Sequence, residues 1–167
     1  HPLGGRRIRL AHLARHQHVE RDMGLIVHGH AAAEPGVGVG DLEARGPHGA
    51  GRVVDGDQLL YVLARARQAT GELQGPVVGT VMSNLGLELA LKGLGVAFLR
   101  AAVGDRHVLQ MLRTHGGVLG GEASGHLLCL DKTTTGDGLI VALQVLAVMK
   151  ATGKTLAELA AGMSRFP

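Results

Sequence analysis

The chain has 167 residues, a length suited to one domain or to one domain plus part of another. Apolar residues make up 46% and charged residues 19%, which excludes wholesale disorder, and a scattered net charge of +3 argues against the gathered basic face of a nucleic-acid binder. The single cysteine, Cys129, excludes an internal disulfide and points to a reducing cytoplasm, while the longest apolar stretch, Gly138 to Met149, carries Gln144 and is too short to span a bilayer.

The first fifty residues differ from the rest. Seven of the ten histidines (His1, His12, His16, His18, His28, His30, His48) lie there, among Gly-Pro breaks and with little sustained periodicity. "IRLAHLARHQHVERDM" could form a weak helix and "GLIVHGHAAA" a short strand, and "GVGVGDLEARGPHGAGR" reads as loop. From residue 51 onward the punctuation is clean. "VVDGDQLLYVLARARQATG" predicts a strand end, a turn and a helix that starts near Asp55 or Asp57 and stops at Gly71. "GPVVGTVMSN" is a short β-branched run, a buried strand. "NLGLELALKGLG" predicts a helix capped by Ser83 or Asn84 and ended by Gly93 or Gly95. A strand in "VAFLRAAV" and a helix in "DRHVLQMLRTHGG" follow, and "GVLGGEASGHLLCLD" supplies strand, loop and strand. "TGDGLIVALQVLAVMKATG" is apolar on nearly all sides and is expected to be a helix buried against a sheet. "TLAEL" opens a last helix with a capping box between Thr155 and Glu158. Alternation of strands and helices predicts an α/β fold, a mixed four-stranded sheet flanked by helices and preceded by an irregular N-terminal segment.

Four stretches carry chemistry. In "HQH" and "HGH" two imidazoles at i and i+2 could share a strand face and a metal, but no cysteine or carboxylate stands at ligand spacing, and solvated polypeptide is the plainer reading. In "VGDRH" a glycine before Asp105 and Arg106 at a helix start could gather amides and a guanidinium on an anion; equally, Asp105 could be an N-cap and Arg106 a solvated residue. In "GGEASGH", alternation would aim Glu122, Ser124 and His126 to one side of an extended segment. A carboxylate accepts two hydrogen bonds and can hold a vicinal diol, and glycines let a ring approach the backbone. The same residues also suit a glycine-rich hairpin with a polar outer face. "TTTGDG" offers Thr135 or Asp137 as a cap for the apolar helix.

"VVDGDQLLYVLA", "GPVVGTVMSNLGLELALKGLGVAFLRAAVGDRHVLQML" and "GGEASGHLLCLDKTTTGDGLIVALQVLAVM" together resemble the bacterial phosphoglucosamine mutases of the α-D-phosphohexomutase superfamily. The resemblance covers about Arg52 to Pro167 without obvious gaps, with "GTVMSNLGLE", "VGDR", "GGEASGH" and "TTGDG" in order. It implies interconversion of glucosamine 6-phosphate and glucosamine 1-phosphate through a phosphoserine and a sugar bisphosphate. It also implies a Mg²⁺ held by a DGDGDR-type loop and a homodimeric, cytoplasmic parent. By this resemblance Glu122 and Ser124 bind sugar hydroxyls, His126 adjoins them, and Asp105 and Arg106 belong to a nearby ligand-side motif. Residues 52–74 would be the remnant of a second domain and 75–167 the sugar-binding third domain, with 1–51 unmatched. A phosphomannomutase or phosphoglucomutase parent is the runner-up. A non-catalytic His-rich metal binder is the reading from another class, and zinc or nickel binding that survives deletion of residues 1–50 would exclude it.

The departures matter as much. No serine motif of a first domain and no phosphate loop of a fourth is found, and "GVGVGDLEARGPHGA" stands where the DGDGDR-type loop is expected. The chain, which opens at His1, is therefore expected to be a fragment whose first fifty residues are an out-of-frame translation. Reading the encoding nucleotides in all three frames checks this: a DGDGDR-type motif is expected upstream of Arg52 in another frame, and its absence from every frame contradicts the reading.

Overall fold

A computed structural model describes Leu25–Val27, Leu42–Arg45 and residues 51–167, with side chains from Val53 onward. The HQH and HGH pairs and the weak helix expected near the start lie outside the described residues. Strands β1 (Leu25–Val27), β2 (Leu42–Arg45) and β3 (Gly51–Val54) form an antiparallel sheet in the order β1-β2-β3. Leu42–Arg45 was expected as loop. Its four residues alternate Leu-Glu-Ala-Arg, a period-two pattern too short to stand out between glycines, and pairing with strands on both sides supplies the missing specification.

From β3 the chain enters helix α1 (Gly56–Thr70), then β4 (Val77–Thr80), α2 (Leu85–Gly93), β5 (Phe98–Ala101), α3 (Asp105–His115), β6 (Leu119–Gly121), β7 (Leu127–Cys129), α4 (Gly138–Thr152) and α5 (Leu156–Ala160). The second sheet is the expected mixed one: order β5-β4-β6-β7, with β4 parallel to β5 and β6, and β6 antiparallel to β7. Alternation along its strands divides the core. Val77, Leu127 and Cys129 face a large cluster built with Leu59, Leu60 and Leu63 of α1, Leu87 and Leu91 of α2, Val141 and Val145 of α4 and Leu156 of α5. Val78 and Leu128 point the other way, onto Val108 and Leu112 of α3. The sheet is thus sandwiched between helical layers.

Helix boundaries follow from caps that the chain carries beside each helix. Asp55 accepts from the Gln58 N–H at 2.9 Å and starts α1, which Gly71 ends with φ +72°. Asn84 starts α2, and Asp137 starts α4 by accepting from Leu139 and Ile140 N–H groups. Thr155 and Glu158 form the expected capping box on α5. The Thr155 hydroxyl, with its amide, holds the Glu158 carboxyl below its ordinary value.

Burial departs from the apolar count. Helix α4, apolar nearly all round, buries Val141, Ala142, Val145 and Met149 but leaves Leu139 53% and Leu143 48% exposed. The deepest helix is α1. Its residues Gly56 to Ala64 are all buried, Asp57 and Gln58 included, and Arg67 further along is buried too. Arg67 is neutralised there by Asp131, whose Oδ1 lies 2.9 Å from Nη1. Hydropathy hides this because the buried helix start carries polar residues, Asp57 bonded through Oδ2 to the Asn84 amide and Gln58 to the cap Asp55. The helix set apart by sequence with residues 52–74 therefore packs at the centre of the same core as the sheet. Leu59→Ala is expected to cost roughly 2–5 kcal/mol in urea unfolding, against under about 1 kcal/mol for Leu143→Ala.

Candidate functional site

Strands β4, β5 and β6 are parallel, so their carboxyl ends deliver three turns to one edge of the sheet: 81–84, 102–104 and 122–126. In open α/β sheets this is the edge where ligands bind. The 122–126 turn closes the β6–β7 hairpin. Glu122 N–H donates to the His126 carbonyl at 3.0 Å and Gly125 N–H to the Glu122 carbonyl at 3.0 Å, with Gly125 at φ +93°. The segment is a tight turn. The segment is not extended, yet Glu122 and His126 still turn toward the same β5–α3 connection, and Ser124 alone stands apart.

Their destinations differ. Glu122 reaches across to the next turn, where its Oε1 accepts from Gly104 N–H at 2.9 Å. No hydrogen bond from a described residue reaches its Oε2. Ser124 is exposed at the tip of the turn. His126 lies half-buried with Nε2 3.7 Å from Asp105 Oδ2, beyond hydrogen-bond reach, and that nitrogen is buried with no partner among the described residues. Gly104 is the N-cap of α3 at φ +119°, a conformation that favours glycine, and it supplies no side-chain cap. Asp105 is accordingly the first helical residue and not the cap; its Oδ1 accepts from Arg106 N–H at 2.6 Å, and its charge suits the helix N-terminus. The Arg106 side chain is exposed and makes no salt bridge among the described residues. Glu122, His126 and Asp105 thus converge, Ser124 crowns the turn, and Arg106 stands at the rim.

Four further residues shape the site. Gly56, the first residue of α1, donates its N–H to the Ala123 carbonyl at 2.9 Å, and a Cβ there would overlap the Glu122 carbonyl and come within 2.6 Å of Gly125 N. Gly136, in the "TTTGDG" stretch assigned to helix capping, lies under the His126 ring; a Cβ would overlap Nε2 and come within 3.0 Å of Cδ2. Asp57 is buried, with Oδ2 accepting from Asn84 N–H at 2.7 Å and Oδ1 unpartnered. Burial pushes its carboxyl above the ordinary value, opposed by the Asn84 amide. Asn84 is the fourth. Sequence singled out Asn84 and Asp57 only as helix starts and did not single out the two glycines, because the contacts they make are distant in sequence. The edge also presents exposed apolar side chains, Val81, Met82 and Val103.

Among the described residues no three His, Cys, Asp or Glu side chains are grouped closely enough to hold a metal ion, so these residues do not fit a Mg²⁺. No described helix is long and apolar enough to cross a membrane.

Residues 55–166 match the family model of phosphoglucomutase/phosphomannomutase, alpha/beta/alpha domain III. The chain belongs to the phosphoglucomutase/phosphomannomutase family. The match begins at the cap of α1, and so includes that helix. A phosphoglucosamine mutase from Alkalilimnicola ehrlichii is 68% identical over 117 residues, covering 70% of this chain and 26% of the relative. The chain therefore spans about a quarter of the length of the curated relatives it matches. Among solved structures, a phosphoglucomutase/phosphomannomutase family protein from Burkholderia thailandensis superposes with a TM-score of 0.64 at 23% identity, covering 78% of this chain and 28% of that one. Aspergillus fumigatus N-acetylphosphoglucosamine mutase, solved with GlcNAc-6P and magnesium, superposes with a TM-score of 0.63 at 20% identity over 76% and 34% of the two chains. These two share the fold of this family domain.

Asp57 gives a signed pH prediction. A carboxyl raised by burial stabilises the fold fully below the ordinary value of 3.8, and that contribution is lost as pH rises through the native value. Asparagine keeps an acceptor for Asn84 without the charge. The stability of the native chain relative to Asp57→Asn is therefore expected to fall in urea titrations as pH rises above the ordinary value of 3.8; a difference that rises with pH contradicts the assignment.

Proposed function

We propose that the 122–126 hairpin is the sugar-recognition element of a phosphoglucosamine mutase, the enzyme that interconverts glucosamine 6-phosphate and glucosamine 1-phosphate. The observation that carries the reading is the division of labour at Glu122: Oε1 is anchored on Gly104 N–H, and Oε2 is left for a ligand hydroxyl. High identity to a relative named phosphoglucosamine mutase supports the choice of substrate.

In this reading Glu122 and Ser124 hold sugar hydroxyls. His126 adjoins them, its buried Nε2 3.7 Å from Asp105 Oδ2. Arg106, exposed at the rim, meets a phosphate oxygen. A sugar that must present each end in turn to a phosphoryl donor is best held at hydroxyls near its pseudo-symmetry axis, and a short turn carrying a carboxylate and a hydroxyl serves both orientations. The donor phosphoserine, a magnesium ion that neutralises the transferring group, a homodimeric assembly and a cytoplasmic setting belong to the longer enzyme in the same reading. The unit that holds the sugar runs from Asp55 instead of residue 75, because α1 is both central to the core and in contact with the hairpin.

Glucosamine 6-phosphate titrated into the chain is expected to shift the backbone resonances of Ser124 and Gly125 saturably. Glu122→Ala is expected to weaken that response about tenfold or more, the scale of a hydrogen bond to a charged group. No turnover is expected from this chain with a catalytic amount of sugar bisphosphate. A hairpin silent to glucosamine 6-phosphate contradicts the reading, and a stronger response to mannose 6-phosphate favours the phosphomannomutase alternative.

A further inference from the structure

The tripeptide Asp55-Gly56-Asp57 touches three separate parts of the molecule within one helical turn. Gly56 meets the hairpin, donating to the Ala123 carbonyl with no room for a side chain. Asp57 accepts from Asn84 N–H at 2.7 Å. Asp55, while capping α1, has its Oδ2 3.2 Å from Arg165 Nη2.

Asn84 and Arg165 lead to the same place. The Asn84 side chain pairs with the Phe166 backbone in both directions, Nδ2 donating to the carbonyl at 2.7 Å and Oδ1 accepting from the N–H at 3.0 Å. Asn84 Oδ1 also accepts from Gly86 N–H at 2.9 Å. Gly86 in turn seats the segment, since a Cβ there would overlap the Ser164 carbonyl. Segment 164–166 is therefore held by an amide pair, an ion pair and a glycine seat, two of whose anchors are bonded to residues flanking Gly56.

We infer that Asp55, Gly56 and Asp57 are positioning residues for the 122–126 hairpin, and that segment 164–166 sets the hairpin's position through them. The inference deepens the proposed function by naming what holds the recognition turn, but the coupling itself is independent of the ligand. None of the three residues is assigned contact with a sugar. They act through backbone and carboxylate contacts: the segment fixes Asn84 and Arg165, these fix Asp57 and Asp55, and the helix start between them carries the hairpin.

Amide hydrogen exchange on the full chain tests the coupling, read at Glu122 N–H and Gly125 N–H, the two amides that close the turn. Arg165→Ala removes an exposed guanidinium remote from the hairpin and is expected to speed both amides roughly two- to fivefold, the range an exposed ion pair supports. Asn84→Ala is expected to speed them about tenfold or more. Arg165→Lys, which keeps the ion pair, is expected to restore native rates, and Asp131→Ala, which breaks the Arg67 pair elsewhere, is expected to leave the ratio of hairpin to α4 exchange unchanged. Hairpin rates unaffected by both Arg165→Ala and Asn84→Ala overturn the inference, as does equal acceleration of the α4 amides. The native chain's response to glucosamine 6-phosphate at Ser124 separates the two claims. Coupled exchange without that response refutes the sugar reading alone, and a response without coupled exchange refutes the coupling alone.

Discussion

The contact between Gly56 N–H and the Ala123 carbonyl ties the most deeply buried of the described helices to the hairpin that carries Glu122, Ser124 and His126. Everything at the edge depends on it. The strands that carry the hairpin are three residues each, too short to hold a polar turn rigidly by their ladder alone. Helix α1 supplies the rigidity instead, and it can do so because its first residue is a glycine whose missing side chain lets two backbones meet. The dense packing of Leu59, Leu60 and Leu63 then fixes where that helix start lies.

A second economy lies in the carboxylate of Glu122. One oxygen staples the hairpin to the β5–α3 turn, which fixes the direction of the other. A carboxylate free at both oxygens would lose side-chain entropy on meeting a partner; this one is already held at one oxygen. The same turn presents Asp105 to His126, so two consecutive βα connections and one hairpin meet at one edge, where polar groups stand beside the exposed Val81, Met82 and Val103. Parallel strands make this possible, because their carboxyl ends lie on the same side of the sheet.

What could be read from sequence was local. Asp55, Asn84, Asp137 and the Thr155–Glu158 pair are legible because a cap and its helix are neighbours in the chain. The four-stranded mixed sheet followed from the spacing of its short β-branched and apolar runs. Glu122, Ser124 and His126 stood out as a cluster; Gly125 adopts a left-handed conformation and turns the chain, which leaves Ser124 at the tip while Glu122 and His126 face the β5–α3 turn. The assignment of roles to these residues came from family resemblance, and no periodicity would have provided it. Gly136 under His126 and Gly56 under the hairpin were invisible for a different reason: a glycine's signature is the atom it makes room for, and that atom lies far along the chain. The partial exposure of α4 and the burial of α1 were misjudged together, since the count of apolar residues on a helix does not say which neighbours cover it.

Sugar recognition for a phosphoglucosamine mutase is the role proposed for this family domain, with Glu122 at its hairpin. It is tested most directly by replacing the matching segment of the Alkalilimnicola ehrlichii relative with residues 55–166 of this chain and measuring conversion of glucosamine 6-phosphate to glucosamine 1-phosphate. Turnover is expected to persist in the chimaera and to fall about a hundredfold or more when Glu122→Ala is added, the loss that accompanies a misplaced reacting group. A folded chimaera whose turnover is indifferent to Glu122→Ala would contradict the account.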